Sequence, residues 1–255
     1  MALPTFAELT ADPGWRCVDF ISDLHLQQDE PGTFDAWRRY LASGPADAVF
    51  ILGDLFEAWP GDDILDEPGF EADCAAVLRA ACARQPVFFL HGNRDFLVGQ
   101  ALAAATGVRL LADPTVLGFG GRRWLVSHGD LLCVDDTEYL RFREQVRAPR
   151  WQRDFLARPL GERQAVARQL RAQSEERKRS GAPHADVDAG EARAWLRAAR
   201  AGTLVHGHTH KPADHDLGDG LQRIVLTDWD LAAAPPRAEA LRLSCGGAWR
   251  RLPLA

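Results

Sequence analysis

Three short apolar runs constrain the fold of this 255-residue chain more than any other feature. They are Val18-Asp19-Phe20-Ile21, Ala48-Val49-Phe50-Ile51-Leu52 and Val87-Phe88-Phe89-Leu90, and each stops shortly before a polar cluster. A half-buried strand alternates polar and apolar residues. A continuous run of this length reads instead as a strand buried on both faces, as in a parallel sheet covered by helices. Helical patterns follow the runs at residues 34–41, 70–83 and 96–105. Strands alternating with helices predict an α/β layered fold. After Gly107 the strands become closely spaced, at 115–119 and 123–127, with Gly120-Gly121 as a hairpin turn.

Residues 137–199 are helical in pattern. Tyr139, Phe142 and Val146 share one helix face, and Trp151, Phe155 and Leu156 form a second apolar cluster. An Ala- and Arg-rich stretch follows at 161–179, and Asp188 is suited to cap a helix that runs through Trp195. Strands return at 203–206, 223–227 and 238–243. The reading is one domain over 1–255, with a helical insert at about 137–200.

Five polar clusters sit at or just beyond the predicted strand ends. They are Asp23-Leu24-His25, Gly53-Asp54, Gly92-Asn93-Arg94-Asp95, His128-Gly129-Asp130 and Gly207-His208-Thr209-His210. Ligand sites in open α/β sheets form outside the carboxyl ends of the strands, so the clusters can converge. Imidazole and carboxylate together favour first-row transition ions such as Mn²⁺ over Ca²⁺ or a thiolate zinc site. A carboxylate such as Asp54 can bridge two ions, and Asn93 adds an oxygen without charge. Two ions close together suit the hydrolysis of phosphate esters and anhydrides.

The net charge of −6 argues against general nucleic-acid binding. It hides an asymmetry: residues 141–179 hold twelve basic and five acidic residues, +7 in all. Five cysteines without a CxxC pair read as reduced, mostly buried thiols. No run is long enough to span a membrane. Residues 1–14 contain Glu8 and Asp12 but no Lys or Arg, unlike a secretory signal, so a cytoplasmic protein is expected.

The order of the five clusters resembles the signature of the calcineurin-like metallophosphoesterases. The resemblance implies a β-sandwich flanked by helices and two Mn²⁺ ions. Asp23, His25 and His210 would hold one ion, Asn93, His128 and His208 the other, and Asp54 both. Asp54, Asn93, Arg94 and His128 are the expected catalytic group. Many members carry His where this chain has Arg94. Arginine stays protonated, so it serves as a phosphate clamp rather than a general acid, which suits a leaving group that needs no proton.

The longer strings Ile51-Leu52-Gly53-Asp54-Leu55-Phe56-Glu57-Ala58-Trp59 and His91-Gly92-Asn93-Arg94-Asp95-Phe96-Leu97 are similar to the UDP-2,3-diacylglucosamine pyrophosphatase family of lipid A biosynthesis. That similarity implies release of UMP and 2,3-diacylglucosamine 1-phosphate from a lipid-linked UDP-sugar. It implies substrate contacts at Asn93, Arg94, Asp136, Ser174 and His208. Lys178 falls where the family has a polar contact, and the family's lysine is out of register in 174–181. The insert becomes a lid. Its apolar residues (Tyr139, Phe142, Trp151, Phe155, Leu156, Leu160, Trp195) would shelter acyl chains. Its basic exterior, including Arg147, Arg150 and Arg153, would meet an anionic surface on the cytoplasmic side of a bacterial inner membrane. No obligate protein partner is implied. Two other readings are a soluble phosphodiesterase or nucleotide phosphatase of the same superfamily, and a non-catalytic metal-binding module. Arg94 and the long insert disfavour the first, and a complete ligand set disfavours the second.

Overall fold

The computed structural model describes residues 3–44, 46–179 and 185–255, except for the side chains of 173–175 and 177–179. Its strands are β1 (Ala7–Thr10), β2 (Cys17–Ile21), β3 (Ala48–Leu52), β4 (Val87–Leu90), β5 (Arg109–Leu111), β6 (Thr115–Phe119), β7 (Arg122–Val126), β8 (Thr203–His206), β9 (Ala213–Gly218), β10 (Leu221–Val225), β11 (Glu239–Ser244) and β12 (Trp249–Pro253). Its helices are α1 (Pro31–Ser43), α2 (Phe70–Cys82), α3 (Gln100–Thr106), α4 (Thr137–Arg147), α5 (Pro149–Leu156), α6 (Leu160–Arg179) and α7 (Ala189–Ala199).

The strands form two six-stranded mixed sheets, ordered β12-β11-β2-β3-β4-β5 and β1-β6-β7-β8-β10-β9. β2, β3, β4 and β5 run parallel to one another, as do β7, β8 and β10. The three apolar runs explain the layering. Alternate residues Phe20, Phe50 and Phe88 point inward and pack on Leu117, Trp124, Val126, Val205 and Ile224 of the other sheet. Phe50 and Phe88 stack at 4.7 Å. Ile21, Ile51 and Phe89 point outward, onto Trp37 and Leu41 of α1, Leu78 of α2 and Leu102 of α3. Both faces are therefore apolar, and each such side chain contributes about 1.5 to 3 kcal/mol on burial. The expected sandwich flanked by helices is the observed architecture.

The helix expected over 96–105 begins only at Gln100. The residues before it turn back toward the strand ends, where the ring of His91 bonds the Val98 carbonyl at 2.7 Å. Asp62 then takes up the backbone N–H groups of Gly99, Ala101 and Leu102 at 2.9, 2.9 and 3.0 Å. Those are the donors a helix start leaves without partners, so a distant carboxylate caps α3. The Gly120-Gly121 hairpin is present, with both residues at positive φ.

The insert is smaller than 137–200. Trp195 is fully buried with Ala192 and Leu196 against Val116, Leu125 and Leu204, on the outer face of the second sheet. α7 is thus a flanking helix, capped by Asp188 accepting from the Glu191 N–H at 2.7 Å. Residues of α4, α5 and α6 instead line a cavity together with Glu57, Asn93 and Arg94 of the loops after β3 and β4. Arg147 also differs from expectation. It does not face outward but donates to the Gly92 carbonyl at 2.8 Å, with its guanidinium over the Phe96 ring. Among the cysteines, Cys245 is exposed, while Cys74 and Cys133 are buried.

Candidate metal centre

The five clusters lie past the carboxyl ends of β2, β3, β4, β7 and β8, all at one end of the sandwich. The backbone turns sharply there. Asp23, His25, Asp54, His208 and His210 have φ of 54, 49, 51, 68 and 52°, in the left-handed region. Side-chain-bearing residues occupy that region at a cost of about 1 to 3 kcal/mol each, and such strain concentrates at functional sites. Two motif glycines have a steric reason. A Cβ on Gly92 would collide with the Asp54 carboxylate, and one on Gly207 with Asp23 and Ser22. Each glycine lets one cluster pack directly onto the next.

All seven residues named from the sequence come together. His25 Nε2 and His210 Nε2 are 3.2 Å apart, and His210 Nε2 is 3.4 Å from Asp23 Oδ1. Asn93 Oδ1 lies 2.9 Å from both His128 Nε2 and His208 Nδ1. Asp54 Oδ2 faces both sets, 3.9 Å from His25 Nε2 and 3.8 Å from His128 Nε2. Its Oδ1 instead accepts the Arg94 backbone N–H at 2.8 Å. Donor atoms of Asp23, His25 and His210, and of Asp23, Asp54 and His128, lie within 4.8 Å of one another, close enough to share an ion. Asp23 therefore reaches both groups, as Asp54 does. The donors are imidazole nitrogens and carboxyl or amide oxygens, which fits a pair of divalent cations.

Further residues aim these donors. Leu52 offers its carbonyl to His128 Nδ1 at 2.9 Å, so Nε2 faces the centre. Glu57 Oε2 lies 2.9 Å from His25 Nδ1, an ion-pair contact. Asp228 stands 3.7 Å from His210 Nδ1. Asp95, fully buried, accepts the N–H groups of Leu55 at 2.7 Å and Gly92 at 2.8 Å, tying the two loops that carry Asp54 and Asn93. Sequence reasoning gave no role to Glu57, Asp95 or Asp228. Asp95 had a visible signal, a carboxylate directly after an Asn-Arg pair at a strand end.

The electrostatics are those of a cation site holding protons. Burial disfavours a charge on His128, yet Asp54, Asp23 and Asp130 raise its pKa to about 9. Burial likewise opposes ionisation of Asp23, but His210, His128 and His25 hold it well below the usual carboxylate range. His208 is lowered to about 4 by burial and by the positive His128. Asp95 is pushed up to about 7 by burial and by Asp54. A divalent ion would take over the stabilising part that protons play here.

Beside the centre, under the three helices, is a cavity of about 450 Å³. Trp59, Phe96, Phe142, Trp151, Phe155 and Leu170 line it, and its polar lining includes Glu57, Asn93, Arg94 and Arg171. Tyr139 lines it too, and its hydroxyl donates to Asp130 Oδ2 at 2.5 Å. Asp136, expected to contact substrate, caps α4 by accepting the Tyr139 N–H at 3.1 Å. The side chains of Ser174 and Lys178 lie outside the described residues.

Residues 18–212 match the family model described as calcineurin-like phosphoesterase. The chain is 45% identical over 246 residues to a UDP-2,3-diacylglucosamine hydrolase of Chromobacterium violaceum, covering 93% of this chain and 98% of the relative. It is 44% identical over 224 residues to the protein of that name from Bordetella pertussis, covering 85% and 87%. A third such hydrolase, from Aromatoleum aromaticum, is 46% identical over 217 residues, covering 82% and 88%. The chain belongs to the calcineurin-like phosphoesterase family and, within it, to the family of UDP-2,3-diacylglucosamine hydrolases.

Proposed function

We propose that this chain hydrolyses the pyrophosphate bond of UDP-2,3-diacylglucosamine, giving UMP and 2,3-diacylglucosamine 1-phosphate for lipid A biosynthesis. The observation that carries the proposal beyond a generic phosphoesterase is the apolar cavity that reaches Asn93 and Arg94. A substrate with acyl chains needs such a chamber beside the reacting phosphates, and a small soluble phosphodiester does not.

In this reading Asp23, His25 and His210 hold one Mn²⁺, Asn93, His128 and His208 the other, and Asp54 both. Bound there, the ions would lower the pKa of water and neutralise charge on the phosphates. Asp54 keeps one oxygen for them by giving the other to the Arg94 backbone. The Arg94 guanidinium, beside Asn93, clamps phosphate oxygens and stabilises the charge that grows during in-line displacement. The departing sugar 1-phosphate is a good leaving group, so no side chain need protonate it. α4, α5 and α6 form the lid, and Asp136, which also caps α4, contributes to head-group binding with Ser174 and Lys178 of α6.

The lid also suits a peripheral place on an anionic bilayer at the cytoplasmic face. Among the described residues, the exposed large apolar side chains are Leu3, Leu156 and Leu170, two of them on the lid, and Arg150 and Arg153 of α5 are exposed too. No described helix is long and apolar enough to cross a membrane. Unchanged sedimentation of Arg150→Gln/Arg153→Gln with anionic vesicles would remove this part of the reading.

The decisive assay is Mn²⁺-dependent release of UMP from UDP-2,3-diacylglucosamine, compared with hydrolysis of bis-p-nitrophenyl phosphate. Turnover of the second compound alone would overturn the proposal.

A further inference from the structure

Asp130 follows His128 by two residues, is fully buried and belongs to neither group of donors at the metal centre. Both of its oxygens are engaged. Oδ1 accepts the Leu131 N–H at 2.9 Å, while Oδ2 accepts the Tyr139 hydroxyl at 2.5 Å and Arg143 Nε at 2.7 Å. Arg143 is 14% exposed, and its Nη2 lies 3.9 Å from Asp113 Oδ2. Bonds from a guanidinium to a carboxylate are charge-assisted and about twice as strong as neutral ones.

Tyr139 and Arg143 belong to a series. Tyr139, Arg143 and Arg147 are spaced four residues apart, so they share one face of α4. Arg147 ends the series on the Gly92 carbonyl, at 2.8 Å. The face therefore docks on two loops, one carrying His128 and the other Asn93. Those two residues are assigned to the same ion, and His208 completes their set. The Tyr139 ring reaches His208 too, with 5.9 Å between ring centroids. Glu138 and Phe142, next to the docked residues in the chain, line the cavity as Tyr139 does. α6 is anchored differently, by Arg163, which pairs with Asp63 and donates to the Pro60 carbonyl on the stretch after β3.

We propose that Asp130 is a positioning residue: by holding Tyr139 and Arg143 it sets the register of α4 against the second metal position, so that substrate resting on α4 meets Asn93 and Arg94 in reacting alignment. The proposal rests on the function proposed above for the substrate, but not for the docking of α4. α4 is then a fixed wall of the cavity, built onto the loops that carry the ligands.

The test uses the full-length, Mn²⁺-loaded protein. Tyr139→Phe removes one hydroxyl, keeps the ring and leaves Arg143 on Asp130. Hydrogen exchange, followed by mass spectrometry without substrate, should quicken about tenfold in α4 and stay unchanged in α7, which packs on the other sheet. Mn²⁺ affinity should stay within about twofold. With UDP-2,3-diacylglucosamine, kcat should fall about 10- to 100-fold with KM little changed, because a displacement of about 1 Å can cost about 100-fold. Asp130→Asn should show the same split. The double variant should be no slower than the slower single one, because both changes break one bond. Unchanged exchange in α4 of Tyr139→Phe would overturn the docking. A rise in KM alone would make Tyr139 a plain substrate contact, and unchanged kcat with a lower thermal midpoint would make the bond only structural; either overturns the positioning role, as would additive losses in the double variant. If Asp130→Asn does not fold, Tyr139→Phe alone decides. Absence of wild-type turnover on this substrate would overturn the proposed function instead, and the exchange measurement would still decide how α4 is held.

Discussion

Asp95 binds no ion in this scheme, yet its removal should be among the most damaging single changes. Its Oδ2 accepts the Leu55 N–H at 2.7 Å and its Oδ1 the Gly92 N–H at 2.8 Å, with no solvent exposure. A further contact to the Phe56 N–H, at 3.4 Å, adds little. In Asp95→Ala two buried donors lose their acceptor, at about 1 to 3 kcal/mol each. Removing the carboxylate also relieves its repulsion with Asp54, one of the causes that push Asp95 up to about 7. The two effects oppose, so the expected net loss is about 2 to 4 kcal/mol, the lower part of the range. Urea unfolding at pH 8 with chelator present measures this where Asp95 is ionised. The midpoint should fall with the slope unchanged. Asp95→Asn keeps one acceptor and should lose about half as much. A loss below about 1 kcal/mol in Asp95→Ala would mean that water reaches the two N–H groups, and the argument from buried, unpaired donors would fail.

Other outcomes follow from the same geometry. His128 in the metal-free protein is raised from 6.5 to about 9, so its contribution to stability is complete below pH 6.5 and lost as the pH rises through 9. The urea midpoint in chelator should fall between pH 7 and 9, and calorimetry in buffers of different ionisation enthalpy should show protons released as Mn²⁺ binds; a flat midpoint with no release would refute the assignment. Arg94→Ala should retain Mn²⁺ and lose about 2 to 4 kcal/mol of transition-state stabilisation, read as kcat/KM; wild-type turnover would mean that its guanidinium does not clamp the substrate. Arg163→Met removes a buried cation whose partner Asp63 is half exposed and can rehydrate. The destabilisation in urea should be about 3 kcal/mol or less, below the usual figure for breaking a fully buried pair; a larger loss would show that Asp63 stays dry.

The parts of the molecule legible in the sequence are those written in consecutive residues. Val18 to Ile21, Ala48 to Leu52 and Val87 to Leu90 show strands because burial on two faces leaves no polar alternation. The ligands show because each follows such a strand within a few residues. β9 was not legible: it is an edge strand with alternate exposure, and its sequence, Ala-Asp-His-Asp-Leu-Gly, has little strand character. The end of the helical insert was misplaced because periodicity reveals an apolar face but not the surface that it meets. Trp195 packs on a sheet, while Trp151, equally apolar, lines the cavity. Glu57, Asp62 and Arg163 act on residues brought near only by folding, so no local pattern marks them.

The position of α7 has a consequence for how such a chain can vary. β7 and β8 are neighbouring parallel strands, and a parallel connection needs one crossover element. α7 alone supplies it, buried against both strands and leading directly into β8. Residues 137–179 are therefore topologically surplus: a short loop in their place would leave every strand pairing intact and remove three walls of the cavity. Circular dichroism and Mn²⁺ binding of such a deletion, set against its loss of lipid substrate, would test this. The cavity is thus built by one excursion of the chain between β7 and α7, joined to the sandwich through Phe155 in its core and through Tyr139 and Arg143 on the buried Asp130.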